Sequence, residues 1–223
     1  MILDLLRHGE TELGGGFRGS LDDALTDIGW AQMHEAVAEA GPWDRLVSSP
    51  LQRCARFAEV LAEGLGLPLT LEPGFQELHF GDWEGRSALD LMQDHEAELG
   101  QFWADPYGFT PPGGEPVAAF AERVSAALEL LQKSYAGERV LLVTHGGVMR
   151  LLLARARGLP KEQLLQVQVG HGALHRVHVE ADGRVLVGAS LVGAPNRSDE
   201  AGADNPVACS GAIAGNAGSH GLS

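Results

Sequence analysis

Arg7 and His8 stand side by side in "LLRHGET", where the largely apolar run of residues 2–6 gives way to Gly9. A strand ending there carries both side chains to the edge of a sheet, and Gly9 lets the backbone turn tightly. Two other stretches repeat the theme. "SSPLQR" closes a second apolar run at Ser48 and Ser49 and sets Arg53 one turn into the helical pattern that follows. "VTHGG" closes another at Thr144 and places His145 ahead of Gly146 and Gly147. A further run leads through Pro73 and Gly74 to "FQELHFGDWEG", which brings carboxylates to the same rim.

The chemistry that wants this set is phosphoryl transfer to histidine. A phosphoryl group in flight spreads negative charge over three oxygens, and its transfer is mostly positioning plus charge stabilisation. Arginine offers planar, two-pronged donors for those oxygens. Arg7, Arg53 and a donor from His145 would surround them without a metal, and Gly146 adds a backbone donor beside them. His8 attacks through a neutral ring nitrogen. Flanking arginines lower its pKa from about 6.5, and its other nitrogen needs an acceptor such as a backbone carbonyl to fix the tautomer. Glu77 is the expected proton donor to the leaving alkoxide and then base for the hydrolytic water. Glu84 and Asp82 are the alternatives, read as loop or structural carboxylates.

These residues need parallel strands to meet. "MILDLL", "DRLVSS", "LPLTLEPGF" and "RVLLVTHGG" read as strands. "TDIGWAQMHEAVAEAG", with Thr26 as cap and Gly41 as stop, reads as a helix. So does "PLQRCARFAEVLAEGLG", with Pro50 in its first turn. A mainly helical stretch from about Leu89 to Gln101 precedes the loop "WADPYGFTPPGGEP"; "VAAFAERVSAALELLQKSY" and "VMRLLLARARG" follow as helices. "ALHRVHVE" and "RVLVGASLV" flank the turn "ADG" and predict a C-terminal hairpin at one sheet edge, with His175 and His178 as ordinary strand residues on opposite faces. The expected fold is α/β, a mostly parallel central sheet with helices on both faces, in which ligands bind beyond the carboxyl ends of the strands.

Composition narrows the partners. The chain has 223 residues, 44% hydrophobic and 21% charged, enough for one well-buried domain. Its formal net charge of -14 argues against nucleic acid or an anionic membrane as partner. Any anion must be caught by a local cluster of arginines working against that field. Cys54 and Cys209 fit no disulfide framework or metal spacing, and no metal or other cofactor is expected. Asp4 interrupts the N-terminal apolar run, so it does not read as a signal peptide, and no stretch is long enough to span a membrane. The cytoplasm is the expected compartment. A domain over 1–192 is expected, with 193–223 as a disordered tail rich in Gly, Ala and Ser.

The four stretches "LLRHGET", "SSPLQRCARFAE", "FQELHFGDWEG" and "VTHGG" resemble, in order, the signatures of the histidine phosphatase superfamily, with its phosphoglycerate mutase-like fold. The resemblance covers residue 1 to about 190. It implies His8 as the phosphorylated histidine, Glu77 as proton donor, and Arg7, Arg53 and His145 as the rest of the phosphate pocket. "FGDWEGRSALDLM" and "FWADPYGFTPPGGEP" are similar to α-ribazole phosphatases, which act late in cobalamin assembly. Many relatives carry an asparagine soon after the RHG turn; Gly14 stands near that place, so the pocket is expected to lean on backbone N–H groups or on Arg18 and Gly19.

The expected activity is metal-independent hydrolysis of a small phosphomonoester, with α-ribazole 5'-phosphate preferred. A broad-specificity phosphatase and a phosphoglycerate mutase are the alternatives, the latter disfavoured by the short stretch between Glu77 and His145. A non-catalytic binding module would be expected to lack the nucleophile or a pocket arginine. Trp103 and Tyr107 are candidates for a flat wall against a benzimidazole, or for a small satellite core that pins their loop. The sequence carries no sign choosing between monomer and homodimer.

Removing residues 193–223 is expected to leave the melting temperature nearly unchanged, because the tail lacks apolar residues to offset its ordering entropy. A fall of several degrees in a truncation after Val192 would show that it docks.

Overall fold

In the computed structural model, residues 1–188 are described. The expected tail, and the second half of the stretch read as the last strand, lie outside them. Six strands form one sheet in the order β3-β2-β4-β1-β5-β6: β1 Ile2–Arg7, β2 Arg45–Ser48, β3 Leu69–Leu71, β4 Arg139–Thr144, β5 Leu174–Val179 and β6 Val185–Val187. Strands β3, β2, β4 and β1 run parallel, and β5 and β6 add an antiparallel hairpin at one edge.

The apolar runs are near-continuous because both faces are covered. Leu3, Leu5, Val140 and Leu142 face one core, beneath α5 (Val117–Ser134) and α6 (Gly146–Arg157). Leu6, Leu46, Leu141 and Val143 face the other, with α1 (Asp27–Val37) and α2 (Gln52–Leu65). Two shorter helices, α3 (Ala88–Asp94) and α4 (Glu96–Ala104), make up the helical stretch expected before the aromatic loop.

Asp4, the charge that breaks the first strand, is wholly buried. It accepts from Trp43 Nε1 at 2.8 Å, from Arg139 Nη2 at 2.9 Å and from Arg176 Nε at 2.6 Å. Arg139 starts β4 and Arg176 lies opposite Asp4 on β5, so one carboxylate ties β1 to both neighbours.

Three local expectations need correction. The first helix ends at Val37, with Ala38 as its C-cap, not at Gly41; Gly41 keeps a positive φ of 106° but serves the loop that leads to Pro42. Pro50 sits just outside α2, whose N-cap is Leu51; Asp22 Oδ1, from a distant loop, accepts from Gln52 N at 2.7 Å. Gly9 is glycine because of close approach, and it is not among the residues with positive φ. A Cβ there would lie 2.1 Å from Gly29 O, and a Cβ on Gly29 would lie 2.1 Å from Glu10 O. Thr26 is the cap expected, accepting from Gly29 N at 3.0 Å.

This back-to-back glycine contact seats the start of α1 against the loop after β1. Gly9→Ala is expected to destabilise the fold by about 1–3 kcal/mol or more, since neither side of the contact is a side chain that can swing away. Urea unfolding checks it; an unchanged midpoint would contradict the packing described.

Candidate active site

The parallel register brings the three motif ends together. Arg7 pairs with Thr144 and Ser48 with Val143, and the ladder continues as His8 N donates to Thr144 O at 2.9 Å and Ser49 N to Val143 O at 3.0 Å. Beyond these ends lies a cleft of about 850 Å³, counting the space open to solvent at its mouth. Arg7, His8, Arg18, Glu77, Arg150 and His171 supply its polar wall. Phe17, Phe80, Phe102, Phe120, Leu164 and Leu165 are among its apolar lining.

His8 is fixed in one tautomer. Its Nδ1 lies 2.8 Å from Gly9 O, and a carbonyl can only accept, so Nδ1 carries the proton and Nε2 keeps its lone pair. Burial pushes its pKa well below 6.5, and the positive charges of Arg7 and Arg53 and the rings of His145 and His171 add to the effect. Sequence reasoning assigned that shift to the arginines; burial is the larger cause. The ring stands between two others, with centroids 5.3 Å away at His145 and 5.6 Å away at His171.

His145 and Arg53 are buried, with the His145 ring next to His8. Arg53 Nε donates to His145 Nδ1 at 3.2 Å, so His145 Nε2 holds the proton and donates to Ser49 Oγ at 2.7 Å. Burial, then Arg53 and Arg7, keep His145 well below 6.5 as well. The other ends of Arg53 donate to Leu21 O at 2.6 Å and Gly19 O at 2.9 Å. Gly19 is therefore a carbonyl ligand of Arg53 and not a wall residue; a Cβ there would lie 2.1 Å from Leu78 O. Arg18 does reach the wall, where Nη1 is bound to Thr11 Oγ1 and to Asp23 Oδ2 at 2.6 Å. Gly14 stays off the wall and Gly16 is on it.

Of the three carboxylates, only Glu77 lines the cleft together with His8. Its Oε2 accepts from Gly147 N at 2.8 Å and its Oε1 from Leu78 N at 2.9 Å. A Cβ on Gly147 would lie 2.1 Å from Glu77 Oε1, so glycine there admits the carboxylate. Glu84 instead binds Ser20 N at 2.8 Å and Leu21 N at 2.9 Å. Burial raises its pKa, but the donors of Ser20, Phe80 and Leu21 outweigh it and hold the group below the usual carboxylate value. Asp82 is exposed. The structure thus separates a cleft carboxylate, Glu77, from one that binds loop backbone, Glu84, and one that is exposed, Asp82.

Trp103 and Tyr107 miss the cleft wall and pin the loop. Trp103 packs against the larger core, and Lys161 Nζ lies 5.0 Å from the Tyr107 ring centroid. Phe102, the neighbour of Trp103, points inward instead. Arg123 also lay beyond sequence reasoning: it holds Glu115 with Nε at 2.7 Å and donates to Gly74 O, Gln76 O and Glu77 O. It latches the Glu77 segment to α5. No spacing in the motifs marks it. Arg150 had a signal, being one turn along α6 from Gly146; His171, in a loop before β5, had none. Among the described residues no three His, Cys, Asp or Glu side chains gather as a metal site would.

Burial of neutral His8 and His145 makes stability depend on pH. Between the lowered folded pKa values and the unfolded value of 6.5 the unfolded chain binds more protons, so stability is full above 6.5 and falls as pH drops below it. The melting temperature is expected to fall between about pH 7 and pH 5, and less steeply in His8→Gln. A wild-type melting temperature that rises over that range would contradict the neutral rings.

Residues 3–191 match the sequence profile of the histidine phosphatase superfamily, branch 1. Over 183 residues the chain is 32% identical to the adenosylcobalamin/alpha-ribazole phosphatase of Salmonella typhimurium, covering 80% of this chain and 91% of that one. It is 32% identical over 178 residues to the probable phosphoglycerate mutase of Yersinia pestis, covering 78% and 82%. The crystal structure of the alpha-ribazole phosphatase from Shigella flexneri superposes with a TM-score of 0.73 at 29% identity, covering 85% of this chain and 95% of that one. With the sheet order, the paired histidines and the cleft carboxylate already in place, these likenesses settle the family: the chain belongs to the histidine phosphatase superfamily, as a phosphatase.

Proposed function

We propose that the protein hydrolyses a small phosphomonoester through a phosphohistidine at His8, and that α-ribazole 5'-phosphate is the substrate. The observation that carries the reading is a neutral His8, with Nδ1 spent on Gly9 O and Nε2 left for the cleft that Glu77 also lines. Arg7, its Nη1 anchored on Val169 O at 2.7 Å, holds phosphoryl oxygens, and the Gly146 end of α6 adds the positive end of a helix dipole. His8 Nε2 attacks phosphorus as the ester P–O bond breaks, and Glu77 gives its proton to the departing oxygen. Water then attacks the phosphohistidine, Glu77 takes a proton back, and the His8–phosphorus bond breaks to release phosphate. Arg53 and His145, buried beside His8, disfavour its protonation.

The aromatic lining of the cleft supports a substrate with a flat ring. Phe17 and Phe80 lie 5.1 Å apart, and Phe102 lies 6.4 Å from Phe17. Stacking a heterocycle on such a surface is worth about 1–3 kcal/mol, or roughly 5- to 150-fold in affinity. The named Salmonella and Shigella relatives support the same substrate. No helix among the described residues is long and apolar enough to cross a membrane.

Comparison of kcat/KM for α-ribazole 5'-phosphate, ribose 5-phosphate and 3-phosphoglycerate tests the substrate. The first is expected to lead, and Phe80→Ala to erode that lead while leaving ribose 5-phosphate nearly unaffected. Equal efficiency on all three would reduce the protein to a broad phosphatase, and turnover of 3-phosphoglycerate to its isomer would make it a mutase. Glu77→Gln is expected to slow hydrolysis of alkyl phosphates by about 10²–10⁴, the usual worth of a positioned acid, and aryl phosphates less in the phosphorylation step. The same pattern in Glu84→Gln instead would move the acid to Glu84.

A further inference from the structure

Glu84 takes no part in the chemistry proposed above, yet its side chain is only 9% exposed and both its oxygens are engaged. Oε1 accepts from Ser20 N at 2.8 Å and from Phe80 N at 3.2 Å, and Oε2 accepts from Leu21 N at 2.9 Å. The Ser20 hydroxyl donates to Oε2 at 2.9 Å, and His79 Nε2 lies 3.6 Å from Oε1. The main-chain donors belong to two segments far apart in sequence, the loop 17–21 and the stretch 79–84. Each carries a phenyl ring that lines the cleft, Phe17 on one and Phe80 on the other, with centroids 5.1 Å apart. The loop is held from both sides. Glu84 takes the N–H groups of Ser20 and Leu21, while Arg53 donates to Gly19 O at 2.9 Å and Leu21 O at 2.6 Å. Gly19 allows the approach, since a Cβ there would lie 2.6 Å from Glu84 Oε1. At the start of the loop Phe17 N donates to Arg86 O at 2.9 Å and Gly85 N donates to Phe17 O at 2.8 Å. The backbone of Phe17 is thus tied to residues next to Glu84.

We propose that Glu84 is a positioning residue for recognition of the substrate's ring, a clasp that joins the two segments and keeps Phe17 and Phe80 together as one aromatic wall. The inference rests on the reading of a ring-bearing phosphomonoester and deepens it. A wall already formed in the free protein spares the substrate the cost of ordering it, so the clasp acts on binding and not on bond breaking. The carboxylate is suited to the task. When ionised it only accepts, with about four lone-pair sites for the donors that surround it. A glutamine amide has the same shape, but its nitrogen cannot accept. Turned one way that nitrogen faces the N–H groups of Ser20 and Phe80; turned the other way it faces that of Leu21. Either way a main-chain donor loses its partner, and the clasp opens.

The test is kcat and KM for α-ribazole 5'-phosphate and ribose 5-phosphate, both alkyl phosphates, in wild type, Glu84→Gln, Phe17→Ala and the double variant. Glu84→Gln is expected to raise KM for α-ribazole 5'-phosphate by about 10-fold with kcat little changed, and to leave KM for ribose 5-phosphate within about twofold. Because Glu84 acts through Phe17, the double variant is expected to lose little more than Phe17→Ala alone. Losses that simply add, or equal losses on both substrates, overturn the proposal; the second is what a general loosening of the fold would give. Should Glu84→Gln not fold, Ser20→Ala decides, since it deletes only the hydroxyl bond. It is expected to raise KM for α-ribazole 5'-phosphate by about threefold, and an unchanged value overturns the clasp. A wild-type enzyme with no preference for the ring overturns the parent reading and the clasp with it. A preference that survives Glu84→Gln overturns the clasp alone.

Discussion

Everything at the active site hangs on the register of three parallel strands. Because Arg7 lies beside Thr144 and Ser48 beside Val143, three chain segments far apart in sequence end at one line. A shift of one residue in β1 would turn His8 to the opposite face of the sheet. Asp4 guards against that slip. Its buried carboxylate is bound by Arg139 and Arg176 on the two flanking strands and by Trp43, and in another register this charge would be left without those donors. Breaking a buried ion pair on one side costs about 3–5 kcal/mol, so the network is more persuasive as a device for choosing one register than as a source of net stability.

The site then works against the charge of the chain as a whole. A protein of net charge -14 offers an anion a repulsive field, yet the cleft presents Arg7, Arg150, the N-terminal end of α6 and the ring of His8, with His145 buried beside it. The histidines contribute by staying neutral. Burial removes the proton from His8, and the Arg53–His145–Ser49 chain behind it gives the neighbouring ring a defined tautomer. Orientation is thus set by hydrogen bonds that lead away from the cleft, leaving one lone pair to face it. Glu77 is treated likewise: Gly147 N, Leu78 N and the latch of Arg123 on the carbonyls of residues 74, 76 and 77 hold its segment from three sides.

The sequence made legible what is local and periodic. The alternation of apolar strands and helices gave the sheet, and the clustering of Arg7–His8, Arg53 and His145 at strand ends gave the site, because strand ends in a parallel sheet share an edge. It did not show depth. Arg53 reads like Arg7 as a residue type, but its partners Leu21 O and Gly19 O come from a loop whose path no periodicity encodes. Nor did it separate Phe102 from Trp103, which are adjacent on α4 and pack in the same core, although only Phe102 lines the cleft. His171 is invisible for the same reason: its closeness to His8 arises from pairing of β5 with β1, a long-range contact.

The central claim is that His8 Nε2 is the nucleophile. Acid-quench of the wild-type enzyme during turnover of a phosphorus-labelled monoester, followed by peptide mapping and phosphorus NMR, tests it most directly. The account predicts label on residue 8, attached at Nε2, in a form labile to acid and stable to alkali, and no label in His8→Ala. Label at another residue, attachment at Nδ1, or undiminished turnover in His8→Ala would contradict it.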